Sequence, residues 1–305
     1  MNNITQTLLK LVSDWTGSFQ GAYNIREDGC CVGRQSSDSI RIESKTDKPG
    51  LDIYIQAGTK GETVSIPACV THGDIDDLVY NDFYVGKNAD ITIVAGCGVH
   101  TETGEPARHN GIHRFFLDPG AHVTYIEKHI GTGTGEGIRS IDPVTEIYLA
   151  EQAVLEMDSA QIGGVDRTMR KTKATLAAGA KLRIRERILT EKDQTADTQF
   201  EVELNGEGAG ADIVSRSVAR DTSRQVYTST IVGNAPCNGH SECDAIIDGK
   251  AIVDASPRLC ARHADAELIH EAAIGKIAGE QILKLQTLGM TEEEAENKII
   301  EGFLQ

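Results

Sequence analysis

The densest group of side chains able to bind a metal lies in PCNGHSECD at 236–244, which offers Cys237, His240, Glu242, Cys243 and Asp244. Thiolates favour soft metals and sulfide-bridged clusters, whereas imidazole and carboxylate add ligands of harder character. As one extended strand the stretch would put Cys237 and Cys243 on one face but about 20 Å apart, at roughly 3.3 Å per residue, too far to hold one small cluster. Either the chain bends there or other segments supply ligands. The C-x-x-x-x-x-C spacing is neither the C-x-x-C pair of zinc sites nor a ferredoxin run, so spacing alone identifies no metal, and a polar turn before a strand is the plain alternative. Further on, His270 and Glu271 are adjacent in AELIHEAAIGKIAGEQ (266–281), which reads as the start of a helix. Neighbours on a helix point roughly 100° apart, so the two would not face one small site squarely.

A second group lies in GCGVHTETGEPARHNGIHRFF at 96–116 and holds Cys97, His100, Glu102, His109 and His113. His109 and His113 would share a helix face, but Asn110-Gly111 between them predicts a turn. GTGTGEG at 131–137 has no following Lys-Ser/Thr and opens no helix, which disfavours a phosphate-binding loop. No G-x-S-x-G stands in the chain, and nine histidines by themselves identify no general base. The residues give little support to an independent enzyme.

What must position these groups is mostly strand. Ile4, Leu8, Leu9, Leu11, Val12 and Trp15 fall at helical spacing, so a short amphipathic helix opens the chain. From about Ser39 to Leu259 the pattern becomes short alternating runs such as GLDIYIQ, HVTYIEKH, KLRIRERIL and TQFEVELN, separated by Gly, Asp and Asn. A weak repeat runs through them, with Ala121, Ala153, Ala180 and Ala209 recurring at solenoid spacing, so a stacked β-solenoid is the expected architecture and a two-sheet sandwich the alternative. Three segments follow: 1–38, helical and Gly-rich; 39–262, the solenoid; and 263–305, helical. In the last, Ile274, Ile277, Leu285 and Leu288 share a predicted helix face, Gly289 ends that helix, and Thr291 with Glu294 forms a capping box for the next. That final helix presents Ala295, Ile299 and Phe303 as a stripe for the solenoid end or a partner.

The bulk numbers agree. With 39% hydrophobic and 25% charged residues, the 305-residue chain can bury a full core, and 31 Gly suit tight turns between strands. A formal net charge of −16 repels phosphate backbones and anionic lipid, which argues against nucleic acid or a membrane surface as partner. The apolar run Ile91 to Val99 is about half of a bilayer span, and no basic region precedes the first apolar residues, so a cytoplasmic location is expected. Seven irregularly spaced cysteines make a poor disulfide framework and read as free thiols.

Four stretches in order, SRSVARD (215–221), GHSECDAIIDGKA (239–251), AELIHEAAIGKIAGEQ (266–281) and GMTEEEAENKIIEGFL (289–304), resemble the carboxy-terminal region of the SufB/SufD family, scaffold components of iron–sulfur cluster assembly. GAYNIREDGCCVGRQSSDSIRI (21–42), KPGLDIYIQAGTKGETVSIPACV (48–70), ITIVAGCGVH, HNGIHRFF and YIEKH (125–129) are similar to its short SufB-like members. The resemblance implies a right-handed parallel β-helix between helical ends and a homodimer or a pairing with a SufD-like paralogue. It also implies a SufC-like ABC ATPase docked on the carboxy-terminal helices through Ile299 and Phe303, and a transient iron–sulfur cluster passed on to apoproteins. The family's sulfur-accepting cysteine falls on Cys243. Its E-H-E pattern falls on Ile269, His270 and Glu271, so the first carboxylate is missing here. A site built on Cys243, Glu271 and His270, with His240, Glu242 and Cys237 beside them, is expected on a scaffold that is not itself an enzyme. A cluster-free regulatory subunit of the ATPase is one rival. A β-helical carbohydrate-active enzyme is another, although one Trp, six Phe and seven Tyr are few for a sugar platform.

Overall fold

The computed structural model describes residues 1–13 and 15–305. Its body is a parallel β-solenoid in which two facing sheets, one of 11 strands and one of 10, are built by alternate strands of the chain. Ladder partners step one coil forward each time: Asp90 lies beside His122, His122 beside Val154 and Val154 beside Lys181. The period expected from the sequence is the coil length. Hydrogen-bonded side chains on successive coils are 27 residues apart at Arg183 and Glu156 and 32 at Arg114 and Asp82.

Strand alternation dictates which residues fill the interior. In Lys181–Thr190, Leu182, Ile184 and Ile188 point inward while Arg183, Arg185 and Arg187 face out to Glu156, Asp212 and Asp158 on neighbouring coils. At one corner Ala89, Ala121, Ala153, Ala180 and Ala209 stack with no exposed surface. Each follows a residue in the left-handed region, namely Asn88, Gly120, Gln152, Gly179 and Gly208. Glycine occupies three of these five turns because it enters that region without a Cβ penalty. The recurring alanines are thus the inside of a repeated corner.

The helix expected at the start is α1, Asn3–Val12, capped by the Asn2 side chain, which accepts from the Thr5 amide at 2.8 Å. Leu8, Leu9 and Val12 are buried against the strand Asp90–His100. Gly96 permits that approach, since a Cβ there would stand 2.3 Å from the Val12 carbonyl oxygen. The segment 1–38 is not merely a lead-in: Ala22–Glu27 already pairs in parallel with Lys60–Ser65 and Ala68–Val70.

Three expectations are corrected. AELIHEAAIG is a strand, Ala266–Gly275, bonded along its length to Cys237–Ile247, so the solenoid runs past 262 and His270 and Glu271 are not helical. An Ala- and Glu-rich segment prefers helix by intrinsic propensity, but that preference is weak, and a ten-residue ladder against a formed coil overrides it. The helix α2 therefore spans only Gly279–Gln286, and Ile274 lies outside it. Second, Asn110-Gly111 is not a turn: Ala107–Leu117 is a continuous strand with His109 and His113 both buried. A Cβ at Gly111 would lie 3.0 Å from His113 Nε2, so the glycine makes room for the imidazole. Third, α3, Glu292–Phe303, has the capping box at Thr291 and Glu294 but turns a different face inward. Ala295, Ile300 and Leu304 are buried, the last two against Val218, whereas Ile299 and Phe303 are half-buried, Phe303 at the margin of the same cluster.

Candidate metal centre

The strands Cys237–Ile247 and Ala266–Gly275 form the last paired step of their sheet, with Ser241 beside His270, Glu242 beside Glu271 and Cys243 beside Ala272. Successive side chains on a strand face opposite sides of the sheet, so the expected site divides in two. His240, Glu242 and Glu271 face outward. Cys237, Ser241, Cys243 and His270 face the interior, where Cys237 and Cys243 are 3% and 2% exposed. His270 and Glu271 therefore do diverge, by strand alternation rather than by helical rotation, and Cys243 does not share one ligand shell with Glu271.

On the outer face, ligand atoms of His240, Glu242 and Glu271 all lie within 4.8 Å of one another. His240 Nδ1 donates to Asp212 at 2.9 Å, and Asp212 in turn accepts from Arg185 at 2.7 Å. This leaves Nε2, 3.5 Å from Glu271, as the free ring nitrogen, the carboxylate-oriented arrangement that favours metal binding. The bond to Asp212, opposed by partial burial and helped by Glu271, raises the His240 pKa above its ordinary value. Burial and the neighbouring Asp244 raise that of Glu242. A divalent cation here would displace a proton from the imidazole and relieve the crowding of carboxylates. Two carboxylates and one imidazole on an open face make a ligand set for an ion of intermediate hardness that is loaded and released.

On the inner face the Cys243 thiol is pushed up to about 12, by burial first and then by the carboxylates of Glu186 and Asp244. It borders a void of about 10 Å³ beside Ser215 and Tyr227, no more than one water needs. The thiol is protonated and enclosed in this conformation. His270 faces Ser241, and its Nδ1 is buried without a hydrogen-bond partner.

The second sequence group resolves differently. His100 faces Thr132 and Glu102 at the coil surface, while His109, His113 and Cys97 point inward. Inside the middle coils runs an ion network that sequence reasoning missed. Arg170 donates to Glu127 at 2.7 Å and reaches Glu186 at 3.2 Å; Ser215 donates to Glu186 at 2.8 Å; Tyr125 donates to Glu127 at 2.9 Å and accepts from His113 Nδ1 at 2.9 Å. Burial alone would raise the Glu127 pKa, but Arg170 and His129 hold it well below the usual carboxylate range. For Glu186, burial outweighs Arg170 and the pKa rises. His113 is lowered to about 4 by burial, which outweighs the opposing pull of Glu127, and is neutral. The missed signal was parity: Glu127 and His129 fall in step with the inward Val123 and Tyr125, and Glu186 with Leu182 and Ile184.

A parallel β-solenoid ending in a coil with metal-competent side chains on its outer face and a thiol within is the class of protein that emerges. The profile of the SUF system FeS cluster assembly SufBD core domain matches residues 81–303, and the chain belongs to that family. Among its relatives, the iron–sulfur cluster assembly SufBD family protein of Methanothermobacter thermautotrophicus (strain Delta H) is 28% identical over 268 residues, 86% of this chain and 64% of the relative. That of Archaeoglobus fulgidus is 27% identical over 275 residues, covering 89% and 72%. The Methanocaldococcus jannaschii relative is 26% identical over 294 residues, covering 93% and 90%. The chain thus spans 64% of the length of the Methanothermobacter relative but nearly all of the Methanocaldococcus one.

Proposed function

We propose that this chain is a cytoplasmic scaffold on which iron–sulfur clusters are built and then transferred to apoproteins. The observation that carries the reading is the convergence of His240, Glu242 and Glu271 on the outer face of the last coil. In this scheme iron is the substrate and is captured there first. Sulfur enters as sulfide and bridges the iron, Cys243 loses its proton and ligates the growing cluster as a thiolate, and the two faces meet when the terminal strand Ala266–Gly275 shifts and opens the enclosed thiol. The scaffold itself performs no hydrolysis; a SufC-like ABC ATPase supplies the work for that opening.

Two surfaces support the assembly proposed. The edge strands Ile252–Ala261 and Ala266–Gly275 leave Ile252, Leu259, Ile269 and Ile274 exposed, which suits pairing with a second copy or a SufD-like paralogue. On the tail, α2 buries nothing, Leu283 and Leu288 are 61% and 73% exposed, and Ile299 is half-buried; these are the proposed ATPase contacts. The enclosure of Cys243 favours the cluster-free regulatory subunit as the second reading.

Anaerobic titration with iron(II) followed by sulfide separates them. With the SufC-like ATPase and ATP present, the parent is expected to bind iron(II) stoichiometrically and to develop a chromophore on adding sulfide. The double substitution His240→Asn, Glu271→Gln should lose the iron(II) step, and Cys243→Ser should keep iron(II) but lose the chromophore. A parent that binds no iron establishes the regulatory reading, and unimpaired loading of the double variant refutes the outer-face site.

A further inference from the structure

We infer that the cavity at the amino-terminal end of the solenoid is a binding site for a small phosphate-class anion, either the free ion or the phosphate of a small ester. Its volume is about 250 Å³, several times the roughly 30 Å³ share of one water, so it holds a phosphate with a small substituent. The charged side chains that line it are Arg26, Arg34, Lys45 and Lys48, and among the described residues no Asp or Glu lines it. In a chain of net charge −16 such a concentration of cations is opposite to what composition would distribute.

The cations are not all neutralised by carboxylates behind the wall. Arg26 is bound through two nitrogens to Asp77, and Lys45 is held between Asp52 and Asp82. Arg34 donates only to neutral groups, Asn24 Oδ1 at 2.8 Å and Ser44 Oγ at 2.9 Å, and no carboxylate among the described residues pairs with it. The Lys48 ammonium lies 4.6 Å over the ring of Tyr80, with the exposed Asp47 at 4.0 Å. A guanidinium fork positioned by two neutral acceptors, in a cavity that an ammonium also lines, offers the charge-assisted hydrogen bonds that a phosphate takes. Asn81 lines the cavity, is 5% exposed, and has a buried amide oxygen with no partner while its other end contacts His113 Nε2 at 3.3 Å. The cavity lies at the opposite end of the solenoid from the candidate metal centre, so its occupancy is independent of the iron-binding reading.

Calorimetric titration of the full chain at constant ionic strength, with chloride as the balancing anion, tests this. Orthophosphate and ribose 5-phosphate are the probes and ribose the neutral control. The parent should bind at least one phosphate probe saturably and not ribose. Arg34→Gln and Lys48→Gln should each weaken it by about tenfold or more, the loss of one charge-assisted bond. Lys192→Gln, at an exposed position away from the cavity, should bind as the parent does. Tighter ribose 5-phosphate assigns an ester and tighter orthophosphate the free ion. Lys48 makes only the surface contacts named, so its variant keeps the test alive if Arg34→Gln fails to fold. Absence of saturable binding in the parent, or equal affinity in parent and both variants, overturns the site.

Discussion

The same residue types serve two purposes in two parts of this solenoid. In the middle coils Glu127 and Glu186 are enclosed and paired with Arg170, and His113 reaches Glu127 through Tyr125; at the last coil Glu242, Glu271 and His240 stand on an outer face, where burial and Asp244 outweigh the pull of Arg216 on Glu242. A carboxylate sealed around an arginine has its counter-charge in place and serves the fold, because removing either partner strands a buried charge. Carboxylates crowded against an imidazole at an open edge lack that enclosure, and the proposed function has a cation from solution join them. Setting, not composition, makes one group a strut and the other a candidate site.

The largest expected contrast is therefore in stability. Arg170→Ala should destabilise the fold by about 3–5 kcal/mol, the cost of leaving Glu127 and Glu186 without their partner. His240→Asn or Glu271→Gln should stay within about 0.5 kcal/mol of the parent, as partly exposed groups do. Urea denaturation read by circular dichroism measures both, and similar losses at the two places would erase the distinction.

Acid should separate the two histidines by sign. His113 is neutral in the fold with a pKa near 4, so protonation of the unfolded chain begins first as pH falls below its ordinary 6.5. Its contribution turns unfavourable through that window, by about 2 kcal/mol near pH 5. His240 has a raised pKa, so its favourable contribution is complete below 6.5 and disappears as pH rises through the folded value. His113→Gln should flatten the acid side of the stability curve, and His240→Asn should lose stability only on that side. Iron(II) affinity at the outer face should increase with pH over the range in which His240 gives up its proton. A pH-independent affinity would remove the imidazole from the ligand set.

The smallest effect on folding, though not on assembly, is expected at the edges. The amino-terminal edge strands Cys30–Gln35 and Ile40–Ser44 are 6 and 5 residues long, and each folds back antiparallel on its neighbour. The carboxy-terminal edges are each 10 residues long and parallel to theirs. Ile269→Asp should leave the urea midpoint nearly unchanged while shifting the species seen by light scattering from dimer to monomer. A dimer that survives both Ile269→Asp and Ile252→Asp assembles elsewhere.

The sequence by itself determined the solenoid, because a 27-to-32-residue period of small corner residues and alternating strands is a local pattern that each coil repeats. It also determined the opening helix, the capping box at Thr291 and Glu294, and the neighbourhood of the metal-competent residues. What it could not determine depended on which strand each segment lies against. AELIHEAAIG carries a helical composition, and only the ladder offered by Cys237–Ile247 makes it a strand; with that change His270 and Glu271 part to opposite faces and Glu271 joins His240 and Glu242. His109 and His113, separated by an Asn-Gly pair that locally favours a turn, are held extended by the strands on either side. Glu127, Arg170 and Glu186 are 43 and 16 residues apart along the chain, and no local rule joins them. The face a side chain takes is fixed by strand parity, and the partners it meets there are fixed by stacking between coils, a long-range term that local propensity does not contain.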